Sequence, residues 1–200
     1  MKTMLASPQN ALLLGVGITA GILLLWLATG GVDMIGFVSV LLRVTHVAAA
    51  MIWIGMIWFV NFIQLAAIQQ ADDQSRGPLM RLIVPKVAAT FLHASTITVL
   101  SGLLLLISTG YLFDRLVFST VVYVSTPKAL MLWAGVAVGV VMMGFAHGII
   151  RPNLRIVLGE VPGDIETVAR ARQKVATFAR LNLVLALPVT FVMIVASHFA

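Results

Sequence analysis

The sequence contains no cysteine, which removes disulfides, thiolate metal ligands, iron–sulfur clusters and covalently attached c-type haem. Charge is scarce as well: charged residues make up 10% of the chain, against about 25% in soluble domains. The seven carboxylates all fall in connections or at the edges of apolar runs. Neither a carboxylate-driven proton pump nor an intramembrane Ca²⁺ or Mg²⁺ site is therefore expected. No serine has a nearby Asp/His arrangement. Gly15, Gly17 and Gly21 lie within an apolar run rather than between a strand and a helix, so neither a nucleophilic triad nor a phosphate loop is present. No long-period repeat is visible.

What remains is hydrocarbon. The chain is 60% hydrophobic with a mean hydropathy of +1.07, a composition that places it in lipid. Five apolar runs, at 10–29, 35–66, 84–109, 128–150 and 181–199, are each long enough to cross about 30 Å of hydrocarbon at 1.5 Å per residue. The expected fold is an all-α integral membrane protein with five transmembrane helices: an additional N-terminal span in 1–34, then a four-helix core in 35–200, all in one membrane domain. The first run is longer than a signal-peptide core and ends in a poor cleavage site, so it reads as a retained anchor. After Pro162-Gly163-Asp164 the sequence predicts a capped helix over about 164–179 that runs into the last span.

Lys2, Arg76, Arg81, Lys86, Arg151, Arg155, Arg170, Arg172, Lys174 and Arg180 fall on one face of this topology, and only Arg115 and Lys128 on the other. The positive-inside rule then puts the N-terminus in the cytoplasm and the C-terminus outside. The net charge of +6 is assigned to orientation and anionic lipid rather than to nucleic acid.

Ionisable residues within spans cost about 2.5–3.5 kcal/mol on insertion scales and tend to face a bundle interior. Arg43, His46, Ala50, Trp53, Ile57, Asn61 and Gln64 recur at steps of three or four and so share one helical stripe. His46 falls near the middle of the bilayer, roughly 15 Å from the outer face. In the next span Lys86, Thr90, His93 and Ile97 form a second stripe. His147 lies one turn before Arg151, at a depth similar to that of His93. His46 could ligate a haem or metal, with Arg43 one turn away for a propionate or other anion, and the imidazoles of His93 and His147 at matched depth could ligate a b-type haem, with Arg151 or Lys86 near its propionates. Met143, four residues before His147, could instead join it in a soft copper site, with His93 as a further ligand. Structural polar contacts between helices are the third possibility. His198 reads as interfacial, and Gly135-Val-Ala-Val-Gly139 as a packing motif.

Several short motifs occur in order: Arg43-Val-Thr-His46, Trp53-Ile-Gly55, Asn61-Phe-Ile-Gln64, Val84-Pro85, Leu100-Ser-Gly102, Ile149-Ile-Arg-Pro152-Asn153, Arg180-Leu-Asn182 and Ala196-Ser-His198. Over about residues 40–199 the chain resembles the membrane domain at the N-terminus of bacterial urate-oxidising membrane proteins of the cytochrome-c-fused type, and their short stand-alone relatives. The resemblance implies a four-helix core in the bacterial inner membrane, redox chemistry at that membrane, and other membrane or periplasmic redox subunits as partners. His46 and His198 match the family pattern, whereas His93 and His147 stand where the family has Trp. Fused relatives transfer electrons through a Cys-x-x-Cys-His haem domain that this cysteine-free chain lacks, so it is not expected to oxidise urate unaided. A His followed by Trp and Gly in an early helix is also similar to haem-dependent protoporphyrinogen oxidases and copper-resistance permeases. The expectation is a redox-associated, possible oxidoreductase subunit that holds haem b and passes electrons within a complex or to quinone. The alternatives are a cofactor-free accessory subunit and a copper or small-metabolite transporter.

Overall fold

The computed structural model describes residues 7–30, 33–111 and 127–198. Among these the protein is all-helical, and five helical stretches are long and apolar enough to cross a membrane: Pro8–Gly30, Met34–Gln70, Asp73–Ser108, Pro127–Val157 and Ile165–His198. These contain the five apolar runs predicted from the sequence, apart from the last residue or two at some ends. Lys2 and Arg115 lie outside the described residues.

The chain divides into two units, residues 1–40 and 41–200. The first holds α1 (Pro8–Gly30), none of whose residues is buried. It also holds Asp33, whose carboxylate accepts from the backbone N–H of Gly36 at 2.6 Å. That bond caps the start of α2 (Met34–Trp58) by satisfying one of the orphan donors of a helix N-terminus.

In the second unit α2 passes into a π-helical turn, Phe59–Gln64, and then α3 (Leu65–Gln70). A short connection leads to α4 (Asp73–Leu82) and α5 (Val84–Ser108). Pro85 sits in the first turn of α5, where its missing N–H costs nothing. The next span is α6 (Pro127–Gly144), a second π-helical turn at Phe145–Ile150, and α7 (Arg151–Val157).

Gly159, at a φ of 77°, ends α7. Its N–H reaches the Ile156 carbonyl and that of Glu160 reaches the Arg155 carbonyl, the paired bonds of a Schellman stop that only a left-handed residue permits. Asp164 then accepts from the N–H of Thr167 at 2.7 Å and starts α8 (Ile165–His198). The predicted basic helix and the last span are thus one continuous helix.

α8 packs along α6, the second π-turn and α7. Around it Trp53, Ile57, Phe91, Ala94, Met142, Ala146, Ile150 and Ala186 form the core. Small residues let the helices approach: Ala129, Ala146 and Ala186 are fully buried. A Cβ on Gly135 would stand 2.8 Å from the Met193 side chain, whereas nothing lies within 4 Å of one on Gly139. Only the first glycine of that motif serves close packing. Bulky aliphatics such as Leu100, Leu104, Val184 and Leu187 remain exposed, as expected where the solvent is lipid.

Candidate functional site

The stripe on α2 faces the bundle. Ala49, Trp53, Ile57 and Gln64 are buried and His46, Ala50 and Asn61 half-buried, while Arg43 is exposed. His46 Nδ1 stands 2.8 Å from the backbone oxygen of Thr98 on α5. A carbonyl can only accept, so Nδ1 carries the proton in this bond. The imidazole rests on Gly102, where a Cβ would come within 2.9 Å of the ring.

The predicted stripe on α5 exists but points the other way. Lys86, Thr90, His93 and Ile97 are all exposed, and the buried side is Phe91, Ala94, Ser95, Thr98 and Ser101. Small and hydroxylic side chains win the interior because they allow close approach and hydrogen-bond to their own helix: Ser95 and Thr96 both donate to the Leu92 carbonyl, and Thr98 to that of Ala94. His147, carried on the second π-turn, places Nε2 at 3.2 Å from Ser95 Oγ and 3.1 Å from Thr96 Oγ1. Each hydroxyl already directs its single proton at Leu92, so Nε2–H is the donor to both.

His93 and His147 are therefore not brought together. One lies on the exposed face of α5 and the other is tied to the packed side. Met143 packs against the core, and His198 is exposed, with Nδ1 at 2.9 Å from the Ile194 carbonyl. Among the described residues no group of three or more His, Cys, Asp or Glu side chains gathers as a metal site.

What does converge is a cavity of about 510 Å³, within the ~300–1,000 Å³ range of small-molecule sites. It lies wholly in the second unit, toward the end that carries most of the basic residues. The first π-turn and α3 supply Asn61, Gln64 and Ile68, α5 supplies Val84, Ala88 and Phe91, and α7 and α8 supply Arg151, Leu154, Arg172, Ala176 and Asn182. Most of the wall is apolar. Two amides break it without a partner: Gln64 is 8% exposed and Asn182 1%, and neither Gln64 Oε1 nor either polar atom of Asn182 has a hydrogen bond among the described residues. An unpaired buried amide costs about 1–3 kcal/mol, and such groups at a cavity wall mark where a ligand's polar atoms belong. Asn61, by contrast, is occupied. Its amide nitrogen donates to the carbonyls of Ile57 and Ala179 at 2.8 and 3.2 Å, tying the π-turn to α8.

Three arginines line the same cavity and no carboxylate does. Arg76 is tied down by the Ile68 and Ala71 carbonyls and Asp73. Arg151 and Arg172 are exposed and, among the described residues, have neither ion pair nor hydrogen bond. Arg151 is the one predicted site residue at this cavity. Asn61 and Gln64 were visible as the end of the α2 stripe, and Asn182 only within the Arg180-Leu-Asn182 motif. The contribution of Arg172 carries no signal in the sequence beyond its charge. Set against family models, curated proteins and solved structures, the chain matches none of them.

Proposed function

We propose that this protein is a multi-pass membrane-embedded binding subunit that holds a small amphipathic molecule in the cavity between α3, α5, α7 and α8. The observation that carries this reading is the pair of unpartnered amides, Gln64 and Asn182, buried at the wall of an otherwise apolar 510 Å³ space. By the positive-inside rule the cavity opens toward the cytoplasmic side of a bacterial inner membrane, within reach of inner-leaflet molecules.

Native mass spectrometry of protein purified in mild detergent tests the reading. A retained small molecule is expected in the unaltered chain and not in Ala88→Phe or Ala176→Phe, which fill the space. Equal retention by the filled variants would overturn the assignment.

The exposed polar stripe of α5 favours a second reading, an accessory subunit of a larger membrane complex. Lys86, Thr90 and His93 on one outward face match what a helix presents to a protein neighbour rather than to lipid.

Haem b or copper held through His46, His93, His147 and Met143, with Arg43 or Arg151 near propionates, draws on fewer features. The ring atoms of His46 and His147 nearest α5 are committed to Thr98, Ser95 and Thr96, and His93 faces outward. Redox partners and the kinship to the membrane domain of urate-oxidising proteins rest on the sequence motifs alone. A b-type band in a reduced-minus-oxidised spectrum, lost in His46→Ala, would restore the haem reading.

A further inference from the structure

We infer that the molecule held in this cavity is an anionic amphiphile: a phosphate or carboxylate at Arg151 and Arg172, a hydrogen-bond donor such as a hydroxyl at Gln64, a hydroxyl or ester group at Asn182, and a single hydrocarbon chain against the apolar wall. The inference rests on the proposed binding function and specifies the charge and shape of its ligand.

Three observations converge on it. The first is charge. Arg151 and Arg172 stand at the cavity with no carboxylate among its lining residues and no counter-ion among the described ones. Both guanidinium groups are exposed and free of competing carboxylates, so an anion at the cavity gains charge-assisted hydrogen bonds that a neutral ligand does not. The second is shape. Arg172 and Asn182 both line the cavity from α8, and ten residues of helix separate them by about 15 Å. The wall that α8 contributes therefore carries a cation toward one end and an amide toward the other. The third is depth of polarity. Gln64 and Asn182 are both more than nine-tenths buried, so they pair only with atoms that enter the cavity: Gln64 Oε1 takes a donor such as a hydroxyl, and the Asn182 amide donates to an ester or carboxylate oxygen or accepts from a hydroxyl. Apolar contacts from Ile57, Val84, Ala88 and Phe91 take the chain. The volume suits one chain, not the two of a whole phospholipid.

That chemistry has two sources, a free single-chain amphiphile or one chain of an anionic phospholipid drawn in from the surrounding leaflet. Direct binding of two probes with the same tail, hexadecyl phosphate and hexadecanol, to the full chain in neutral detergent tests the charge. Native mass spectrometry in nanodiscs of phosphatidylglycerol mixed with phosphatidylcholine tests the lipid source. The expected result is a roughly tenfold preference for hexadecyl phosphate over hexadecanol, the size of one charge-assisted bond, or selective retention of phosphatidylglycerol. Either preference should fall away in the Arg151→Gln/Arg172→Gln double variant while the melting temperature holds.

Preference for the phosphate probe alone assigns a free amphiphile, and retention of phosphatidylglycerol alone assigns the phospholipid. Equal binding of both probes with no lipid selectivity overturns the inference while leaving the cavity a ligand site. Binding of no probe, or binding that is unchanged in Ala176→Phe, overturns the binding function itself. Selectivity that survives in the double variant also overturns the inference, because the arginines would not be its cause.

Discussion

His46 on α2 closes directly over Gly102 on α5: the ring lies 2.9 Å from where a Cβ would stand, with its Nδ1 2.8 Å from the Thr98 carbonyl. A glycine and a histidine a whole span apart are thus one packing unit. The contact makes Gly102 a position where even a methyl group forces the ring away and breaks an interhelical hydrogen bond. Gly102→Ala should destabilise the protein by about 1–3 kcal/mol, the range for overpacking. Gly139→Ala, where nothing lies within 4 Å, should be neutral or stabilising by up to about 1 kcal/mol. Melting temperatures of the two variants in one detergent decide the matter. Equal shifts would remove the packing argument.

Asn182 gives the opposite kind of prediction. Both of its polar atoms are buried without partners, so Asn182→Leu removes a penalty rather than a bond. The ligand-free protein should gain about 1–3 kcal/mol, seen as a higher melting temperature, while retention of the bound molecule falls. A destabilised variant would mean that Asn182 serves the fold, not a ligand.

His93 and His147 should part company on mutation. Exposed His93 can change to Leu with a stability effect within about 0.5 kcal/mol. His147→Leu loses the bonds to Ser95 and Thr96 and leaves a poorly packed site, for about 1–3 kcal/mol of destabilisation. If the α5 stripe meets a partner, His93→Leu should also reduce co-purification of that partner at unchanged melting temperature.

Two carboxylates outside the spans carry a pH dependence. Hydrogen bonds from Ser75, its hydroxyl first and then its backbone N–H, hold Asp72 below the ordinary 3.8. Thr167 does the same for Asp164. A depressed folded value means that each cap stabilises its helix above pH 3.8 and loses that contribution as pH falls through the lower folded value. Amide exchange at Thr167 and Val168 should therefore quicken below about pH 4. Asp164→Asn, still a good cap, should flatten the dependence.

The absence of cysteine makes the native chain a ready background for mapping its topology. Gln173→Cys should react with a membrane-impermeant maleimide only after permeabilisation, and Ser197→Cys in intact spheroplasts. The reverse pattern would invert the orientation.

The spans were legible because twenty-odd apolar residues leave the backbone no choice but helix in lipid. The Asp164 cap and the inward α2 stripe were legible for equally local reasons. The α5 stripe was not, since polarity pointed to Lys86 and His93 while the interior went to Ser95, Thr98 and Ser101 by size. The cavity was not legible either: Gln64, Arg151, Arg172 and Asn182 meet only through tertiary packing. Nothing in Phe59–Gln64 or Phe145–Ile150 announces a π-turn.

Those π-turns make the cavity sensitive to phase. Each accommodates a residue beyond the α-helical count, closing its ladder with bonds such as Leu65 N–H to the Val60 carbonyl and Arg151 N–H to that of Ala146. Were the first turn to become α-helical with all its residues kept, α2 would swing by about 100° relative to α3. Gln64 and the α2 stripe could then no longer both face inward. The span and its hydropathy would be unchanged, yet the azimuth linking His46 to Gln64 would be lost.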